Sequence, residues 1–246
     1  MTTYIFRFFL ALTFLFYASV QDILNREVPN KVWLISIPLC LILDYVDFSL
    51  GHIDLILFLV SPTVGFILGF ALFFLGFYGG ADAKALILLA TATPSYSPNA
   101  AFLVTRIFPL PALLAFFCST LLSSSYPLAV LSLNLIDSLR GKDLLSGIEE
   151  KNFFKRLLLY MLVRKVKLED LRGFKRFPAE KVVVENGVAK RRPVYNLHAE
   201  TNVTKLVKEL EEHKELLKDG VLASPTIPMI VFLTIGFAFS NLVSIL

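Results

Sequence analysis

The sequence predicts an α-helical polytopic membrane protein, with six transmembrane helices and a small α+β cytoplasmic domain inserted before the last helix. Three observations lead to this fold class. The chain has 246 residues, of which 56% are hydrophobic and only 18% charged, whereas soluble domains are about 45–50% apolar and about 25% charged. Its apolar residues fall into long runs, and most of its charged residues lie in one segment near the C-terminus.

The apolar runs define the predicted spans. A helix needs about 20 mostly apolar residues to cross roughly 30 Å of hydrocarbon. Most of the runs approach or exceed this length, and the fourth is shorter because Thr93-Pro94 ends it. A cleaved signal peptide at residues 1–20 is the alternative for the first run, but five further runs follow it. The six predicted spans are 4–21, 32–48, 55–77, 83–93, 108–139 and 225–245.

Basic residues predict the orientation of these spans. Residues 138–222 contain 19 of the 24 Lys and Arg residues, and the second connection, around 51–54, contains none. The positive-inside rule therefore places the odd-numbered connections in the cytoplasm and both termini outside the cell membrane. This location of the positive charge argues against nucleic acid as a partner and leaves the lipid bilayer. The predicted domains are a membrane domain at 1–139, a cytoplasmic soluble domain at 140–222 and the last transmembrane helix at 223–246.

The cytoplasmic segment contains patterns of both helix and strand. Residues 148–165 alternate charged and apolar residues, which predicts an amphipathic helix lying on the bilayer surface. Residues 182–188 predict a hairpin whose turn is Asn186-Gly187, because this pair readily adopts the positive φ angles of a tight turn. Apolar residues at helical spacing over 203–217 predict a further helix.

Acidic residues in or beside the spans are the candidates for chemistry, because burying a carboxylate in a membrane costs free energy. Asp22 and Asp82 both fall at the cytoplasmic ends of predicted spans, at similar depth. Two adjacent carboxylates share a proton, so one can activate water while the other donates a hydrogen bond to a substrate carbonyl. The alternative is two unrelated acids that reach water. Asp44 could pair with Arg7 or line a cavity, and Asp47 is expected to reach water.

The residues around Asp82 suit an unwound entry to a helix. Gly79, Gly80 and Ala81 precede the acid and are small, which allows backbones to approach closely. Asp82 is therefore predicted as the N-cap of its helix. Lys84 is only two residues further on, so on a helix it points away from Asp82. It is predicted to reach lipid phosphate or to contact a neighbouring span.

Two short motifs surround the acids: Asp22-x5-Val28-Pro29-Asn30 and Gly79-Gly80-Ala81-Asp82-x-Lys84. Together they resemble the type IV prepilin peptidases, which are membrane aspartyl proteases of the GxGD type. The six spans and the basic insert are similar to the archaeal branch, the preflagellin peptidases. The resemblance covers about residues 4–139 and 225–245, and Ala81 stands where the motif has its second glycine. It implies that Asp22 and Asp82 are catalytic, supported by Gly79, Gly80, Ala81, Lys84, Pro29 and Asn30.

The resemblance also implies a substrate. This would be the precursor of an archaeal flagellin or pilin, cut at the cytoplasmic face of the membrane without a metal or cofactor. The bacterial relatives also methylate the new N-terminus and carry a cysteine-rich stretch. This chain has only Cys40 and Cys118, both within apolar runs, so we predict peptidase activity without methylation.

Two alternatives remain open at this point. Presenilin-like intramembrane proteases use GxGD followed by Pro-Ala-Leu, and Pro111-Ala112-Leu113 occurs here. A non-enzymatic six-span transporter or assembly protein could use Asp22, Asp44 and Asp82 as ion or proton ligands. Neither a serine hydrolase nor a zinc hydrolase is supported, because the chain contains no GxSxG or HExxH motif.

Overall fold

The computed structural model of the protein describes residues 2–96, 102–148, 150, 152–171, 176–185, 188–194, 203–217 and 219–245. The described part is mostly helical, with a small amount of sheet towards the C-terminus. Its helices are α1 Thr2–Asn25, α2 Asn30–Ser49, α3 Leu55–Phe74, α4 Gly80–Ala92, α5 Phe102–Ile107, α6 Pro111–Leu139, α7 Phe153–Leu162, α8 Val203–Glu212 and α9 Met229–Ile245. Its strands are β1 Arg164–Val166, β2 Arg176–Pro178, β3 Glu180–Glu185, β4 Val188–Pro193 and β5 Val221–Pro225.

Every predicted span contains a helix. Among the described residues, four helices are long and apolar enough to cross a membrane: α1, α2, α3 and α6. α4 has 13 residues and α9 has 17, so both are short for a crossing of roughly 30 Å. The helical membrane character is thus confirmed, while the number of six spans stays a prediction.

The chain divides into two compact units. The first unit comprises Met1–Ser123 and Pro228–Leu246, and the second comprises Ser124–Ile227. α6 contributes its first part to one unit and its last part to the other. The predicted domain boundaries at 139/140 and 222/223 stay predictions.

α4 lies at the centre of the first unit, packed by α1, α2, α3 and α9. Its Ala85, Leu88 and Leu89 are fully buried, which fits a helix surrounded by other helices. The outer helices instead expose large apolar side chains, such as Ile67 of α3 at 62%. A membrane protein exposes such side chains to lipid.

Small residues bring α3 against α4. Ser61, Gly65 and Gly69 follow one another at four-residue spacing and are the buried residues of α3. A Cβ placed on Gly69 would lie only 2.8 Å from the carbonyl oxygen of Ala83 in α4. Small residues at this spacing allow two helix backbones to approach closely in a membrane. Since Ala83 follows Asp82, this contact helps to position the acidic residue.

The second unit mixes helices with short antiparallel strands, as the α+β prediction requires. β5 pairs with both β1 and β2, and β3 pairs with β4. The pairing of β3 with β4 confirms the predicted hairpin, whose turn at 186–187 lies outside the described residues. The helix predicted over 203–217 is shorter, because α8 ends at Glu212 and a single 3₁₀ turn follows at Lys214–Leu217.

A buried ion pair joins the strands of the second unit. Nη2 of Arg191 in β4 lies 2.9 Å from both carboxylate oxygens of Glu180 in β3. The same Nη2 donates to the carbonyl oxygen of Gly220, just before β5, at 2.8 Å. Burial raises the pKa of Glu180, and the Arg191 charge opposes that rise. The pair therefore has a structural role in this unit.

Candidate active site

Asp22 lies in the last turn of α1 and is half-buried. It also lies close to the backbone of Ile230 in the first turn of α9. The N-terminus of a helix carries partial positive charge, which stabilises a nearby carboxylate. Oδ2 of Asp22 is buried and has no hydrogen-bond partner among the described residues. One oxygen of this carboxyl group is therefore not engaged by the described part of the protein.

Asp82 lies in the first turn of α4 and is also half-buried. Its Oδ2 accepts a hydrogen bond from the backbone N–H of Gly79 at 3.1 Å. Gly79 is the N-cap residue, so Asp82 occupies the third helical position and its N-cap prediction is wrong. The helix begins at Gly80, three residues before the predicted start, because the small residues before the acid adopt helical geometry. The acid then reaches back to the cap and fixes its own position.

The structure brings these two acids together. α1 packs against α4, and the charge of Asp22 acts on the carboxyl group of Asp82. Both groups therefore lie within electrostatic range of each other in a partly desolvated environment. The sharing of a proton between the two carboxyl groups stays a prediction.

Lys84 connects α4 to α2. Its Nζ lies 2.7 Å from Oδ1 of Asn30, the first residue of α2, and Pro29 is the N-cap residue of that helix. Two partners were predicted for Lys84, lipid phosphate and a neighbouring span, and in the structure Lys84 contacts the neighbouring helix α2. The bond joins the segment that follows Asp22 to the helix that carries Asp82.

The small residues before Asp82 leave room around the turn. A Cβ on Gly80 would lie 3.8 Å from the ring of Phe73, an ordinary contact. Ala81 is partly buried and packs against the core of the first unit. Gly79 is the residue whose backbone N–H binds Asp82. These residues thus form the entry to α4 rather than contributing functional side chains.

Sequence analysis missed one residue of this site, Arg26. Its φ angle is 58°, and it is the single residue other than glycine with a positive φ in the described part of the chain. Its charge acts on Asp22, one helical turn earlier. Nε and Nη1 of Arg26 are buried and have no hydrogen-bond partner among the described residues. The sequence signal that could have identified Arg26 is its position four residues after Asp22, a spacing at which opposite charges on a helix can interact.

Asp44 and Asp47 belong to a different part of the first unit. Arg7 forms ion pairs with both carboxylates, and its Nη1 lies 2.5 Å from Oδ2 of Asp47. The Nε of Arg7 donates a hydrogen bond to the carbonyl oxygen of Ala92. The predicted pairing of Asp44 with Arg7 is therefore confirmed. Asp47 was expected to reach water but is only 4% exposed, because Arg7 reaches across to it from α1. Asp44 lies 14 residues beyond Asn30, about 21 Å along α2.

The described residues do not include a group of three or more His, Cys, Asp and Glu side chains placed to hold a metal ion. Cys40 is buried in α2, and Cys118 is half-buried in α6. The two thiols are free and belong to separate helices.

Comparisons with known proteins place these residues in a family. Residues 9–130, which include Asp22 and Asp82, match the model of the type IV leader peptidase family. The preflagellin peptidase of Methanococcus voltae is 32% identical over 134 residues, which cover 52% of this chain and 57% of that protein. The preflagellin peptidase of Methanocaldococcus jannaschii is 24% identical over 240 residues, covering 92% and 88%.

The extent of these matches differs along the chain. In the Methanococcus voltae match the chain spans little more than half of the relative's length, whereas the other match extends over most of both chains. No solved structure matches the chain. The family match begins within α1 and ends within α6, and it contains both acids and the Lys84–Asn30 contact. Residues 9–130, just under half of the chain, therefore match the type IV leader peptidase family.

Proposed function

We propose that the protein is a membrane aspartic endopeptidase that removes the short leader peptide of preflagellin-type or prepilin-type precursors. The observation that carries this proposal is the proximity of Asp22 and Asp82, at adjoining ends of packed helices within the family match. Two relatives named preflagellin peptidase support the choice of substrate. The activity requires a peptide bond to reach the two carboxyl groups.

The pair supports hydrolysis by general acid–base catalysis. One carboxylate takes a proton from water, and the resulting hydroxide attacks the carbonyl carbon of the peptide bond. The other, protonated carboxyl group donates a hydrogen bond to the carbonyl oxygen as negative charge develops there. The first carboxyl group then gives the proton that it took from water to the amide nitrogen as the C–N bond breaks, and this releases the amine and a new carboxyl terminus. The unengaged Oδ2 of Asp22 suits contact with water or substrate.

Membrane placement gives the substrate its geometry. In this proposal six helices cross the plasma membrane, both termini lie outside, and the two acids lie near the cytoplasmic face. The distribution of basic residues supports this orientation, since 19 of the 24 occur in 138–222. α4 and α9 are short spans, and the other helices surround α4. The apolar helix of the precursor would stay in the bilayer while its basic leader reaches the cytoplasm.

The alternatives gain less support from the residues that suggested them. Pro111 is the first residue of α6, a position that proline commonly occupies for helix geometry alone, so a presenilin-like role for Pro111-Ala112-Leu113 is unnecessary. Asp44 is bound by Arg7. A transporter that uses Asp22, Asp44 and Asp82 as ligands would have to break this ion pair.

The experiment that tests the proposal is cleavage of a preflagellin-type precursor by the purified full-length protein in liposomes. Mass spectrometry of the products should give one cut between the basic leader and the apolar helix, with an unmethylated new N-terminus. Asp22→Asn and Asp82→Asn should insert normally and leave the precursor intact. Absence of cleavage by the wild-type protein on several such precursors would contradict the proposal and favour a transporter or assembly role.

A further inference from the structure

α7 of the second unit exposes an apolar face. Leu159 is the buried residue of this helix and belongs to a small core with Leu144, Ile148 and Leu222. Successive residues of an α-helix are rotated by about 100°. The opposite half of α7 therefore carries an uncharged, exposed set of side chains: Phe153, Phe154, Leu157 and Leu158.

The exposed fractions of the side chains on this face are large for a protein surface in contact with water. Phe153 is 71% exposed and Phe154 is 78% exposed, although exposing a phenylalanine ring to water costs free energy. The charged residues of the helix, Lys155 and Arg156, lie on the same half as Leu159. A contiguous apolar face without charge indicates a surface that contacts lipid or another chain.

Hydrogen bonds within the second unit fix the position of α7. Asn134 in α6 is 3% exposed. Its Nδ2 donates to the carbonyl oxygens of Tyr160 and Val163 at 2.8 and 2.7 Å. These bonds satisfy backbone acceptors at the C-terminal end of α7, where a helix has no internal donors. The C-terminal end of α7 is therefore attached to α6.

A second contact attaches the residues after α7 to the same part of α6. Nη2 of Arg164 lies 2.8 Å from Oδ2 of Asp137. Asn134 and Asp137 lie within the last six residues of α6, which is long and apolar enough to span a membrane. Asn134 is about 7.5 Å from the end of this helix. The C-terminal end of α7 consequently lies close to the level at which a span leaves the hydrocarbon.

We propose that α7 is an interfacial helix, with its face of Phe153, Phe154, Leu157 and Leu158 buried at the boundary between lipid headgroups and acyl chains. The partner is the leaflet at the C-terminal end of α6. Attachment to the end of a span favours the bilayer over another protein, because lipid is already present at that level. An amphipathic helix with aromatic residues on its apolar face binds bilayers in this orientation. The proposal is independent of peptidase activity.

The test uses spin labels on the full-length protein in liposomes, in a Cys40→Ala/Cys118→Ala background. Labels at Phe154→Cys and Leu158→Cys report the proposed lipid face, and a label at Arg156→Cys on the same helix is the matched control. Power saturation compares collision with oxygen, which concentrates in the bilayer, and with a water-soluble nickel chelate. The three labelled side chains are exposed, so the labels themselves leave the core unchanged, and the buried Cys40→Ala change is common to all three proteins.

We expect oxygen collisions to exceed nickel collisions at positions 154 and 158, and the reverse at position 156. Nickel accessibility at 154 and 158 equal to that at 156 would place the face in water and overturn the proposal. Low accessibility of 154 and 158 to both reagents would also overturn it, because the face would then pack against a second copy or another protein.

Discussion

The Nζ of Lys84, the fifth residue of α4, lies 2.7 Å from Oδ1 of Asn30, the first residue of α2. α4 carries Asp82 two residues before Lys84, and α2 follows Asp22 after a short connection. The bond therefore connects the two sequence motifs that contain the acids. It restrains the N-terminal part of α4, which also makes a close contact with α3 at Ala83.

We expect Lys84→Met and Asn30→Ala each to lower kcat/KM by about tenfold or less, equivalent to ~1.4 kcal/mol of transition-state stabilisation. The bond positions Asp82 without taking part in the reaction, so its loss should be partial. The double variant should lose no more activity than either single variant, because both remove the same interaction. Losses that multiply in the double variant would show that the two residues act separately.

Gly69→Ala should reduce both stability and cleavage. Its new Cβ would meet the carbonyl oxygen of Ala83 at 2.8 Å, and separating α3 from α4 should cost about 1–3 kcal/mol. Gly80→Ala is the control, since its Cβ meets only the ring of Phe73 at 3.8 Å although it lies closer to Asp82 in sequence. Thermal unfolding in detergent and cleavage rates measure the difference. Equal effects of the two substitutions would contradict the close packing of α3 on α4.

Sequence patterns predicted the helices and the separate polar unit, because long apolar runs and charge clusters are local signals. The roles of Asp22 and Asp82 stay predictions, but their similar depth was evident from the ends of the apolar runs. The sequence could not show that Asp82 is the third residue of α4 and not its N-cap, because glycine at 79 and 80 is compatible with either loop or helix. The burial of Asp47 depends on Arg7, 40 residues away. Contacts of this kind are tertiary and leave no local pattern.

Arg26→Gly should separate folding from activity. Glycine adopts a positive φ without strain, so we expect stability equal to wild type or higher by ~1 kcal/mol. Cleavage should fall by about tenfold, because the positive charge beside Asp22 and its two unpartnered donors are lost. Arg26→Lys should retain part of this activity, and Glu27→Gly controls for flexibility of the loop. Full activity of Arg26→Gly would assign Arg26 a role outside the site.

Arg7→Met should impair folding, because it leaves Asp44 and Asp47 buried without their shared cation. Removing one partner of a buried ion pair costs about 3–5 kcal/mol. The yield of monodisperse protein in detergent and its thermal unfolding measure this cost. Replacing both acids by leucine in the Arg7→Met background should recover much of the stability. A single variant as stable as the wild type would show that the ion pairs contribute little.

If Asp22 and Asp82 act as one catalytic unit, their effects on cleavage depend on each other. Single-turnover cleavage by Asp22→Asn, Asp82→Asn and the double variant tests this most directly. Each single substitution should lower the rate by about 10³-fold or more, and the double variant should be no slower than the singles, because residues that act together are not additive. Asp54→Asn is the matched control. Asp54 caps α3 through the N–H of Leu57, a role that asparagine can also fill, so this variant should cleave at the wild-type rate. A single variant that keeps roughly a tenth of the rate, or a double loss equal to the product of the single losses, would contradict the account.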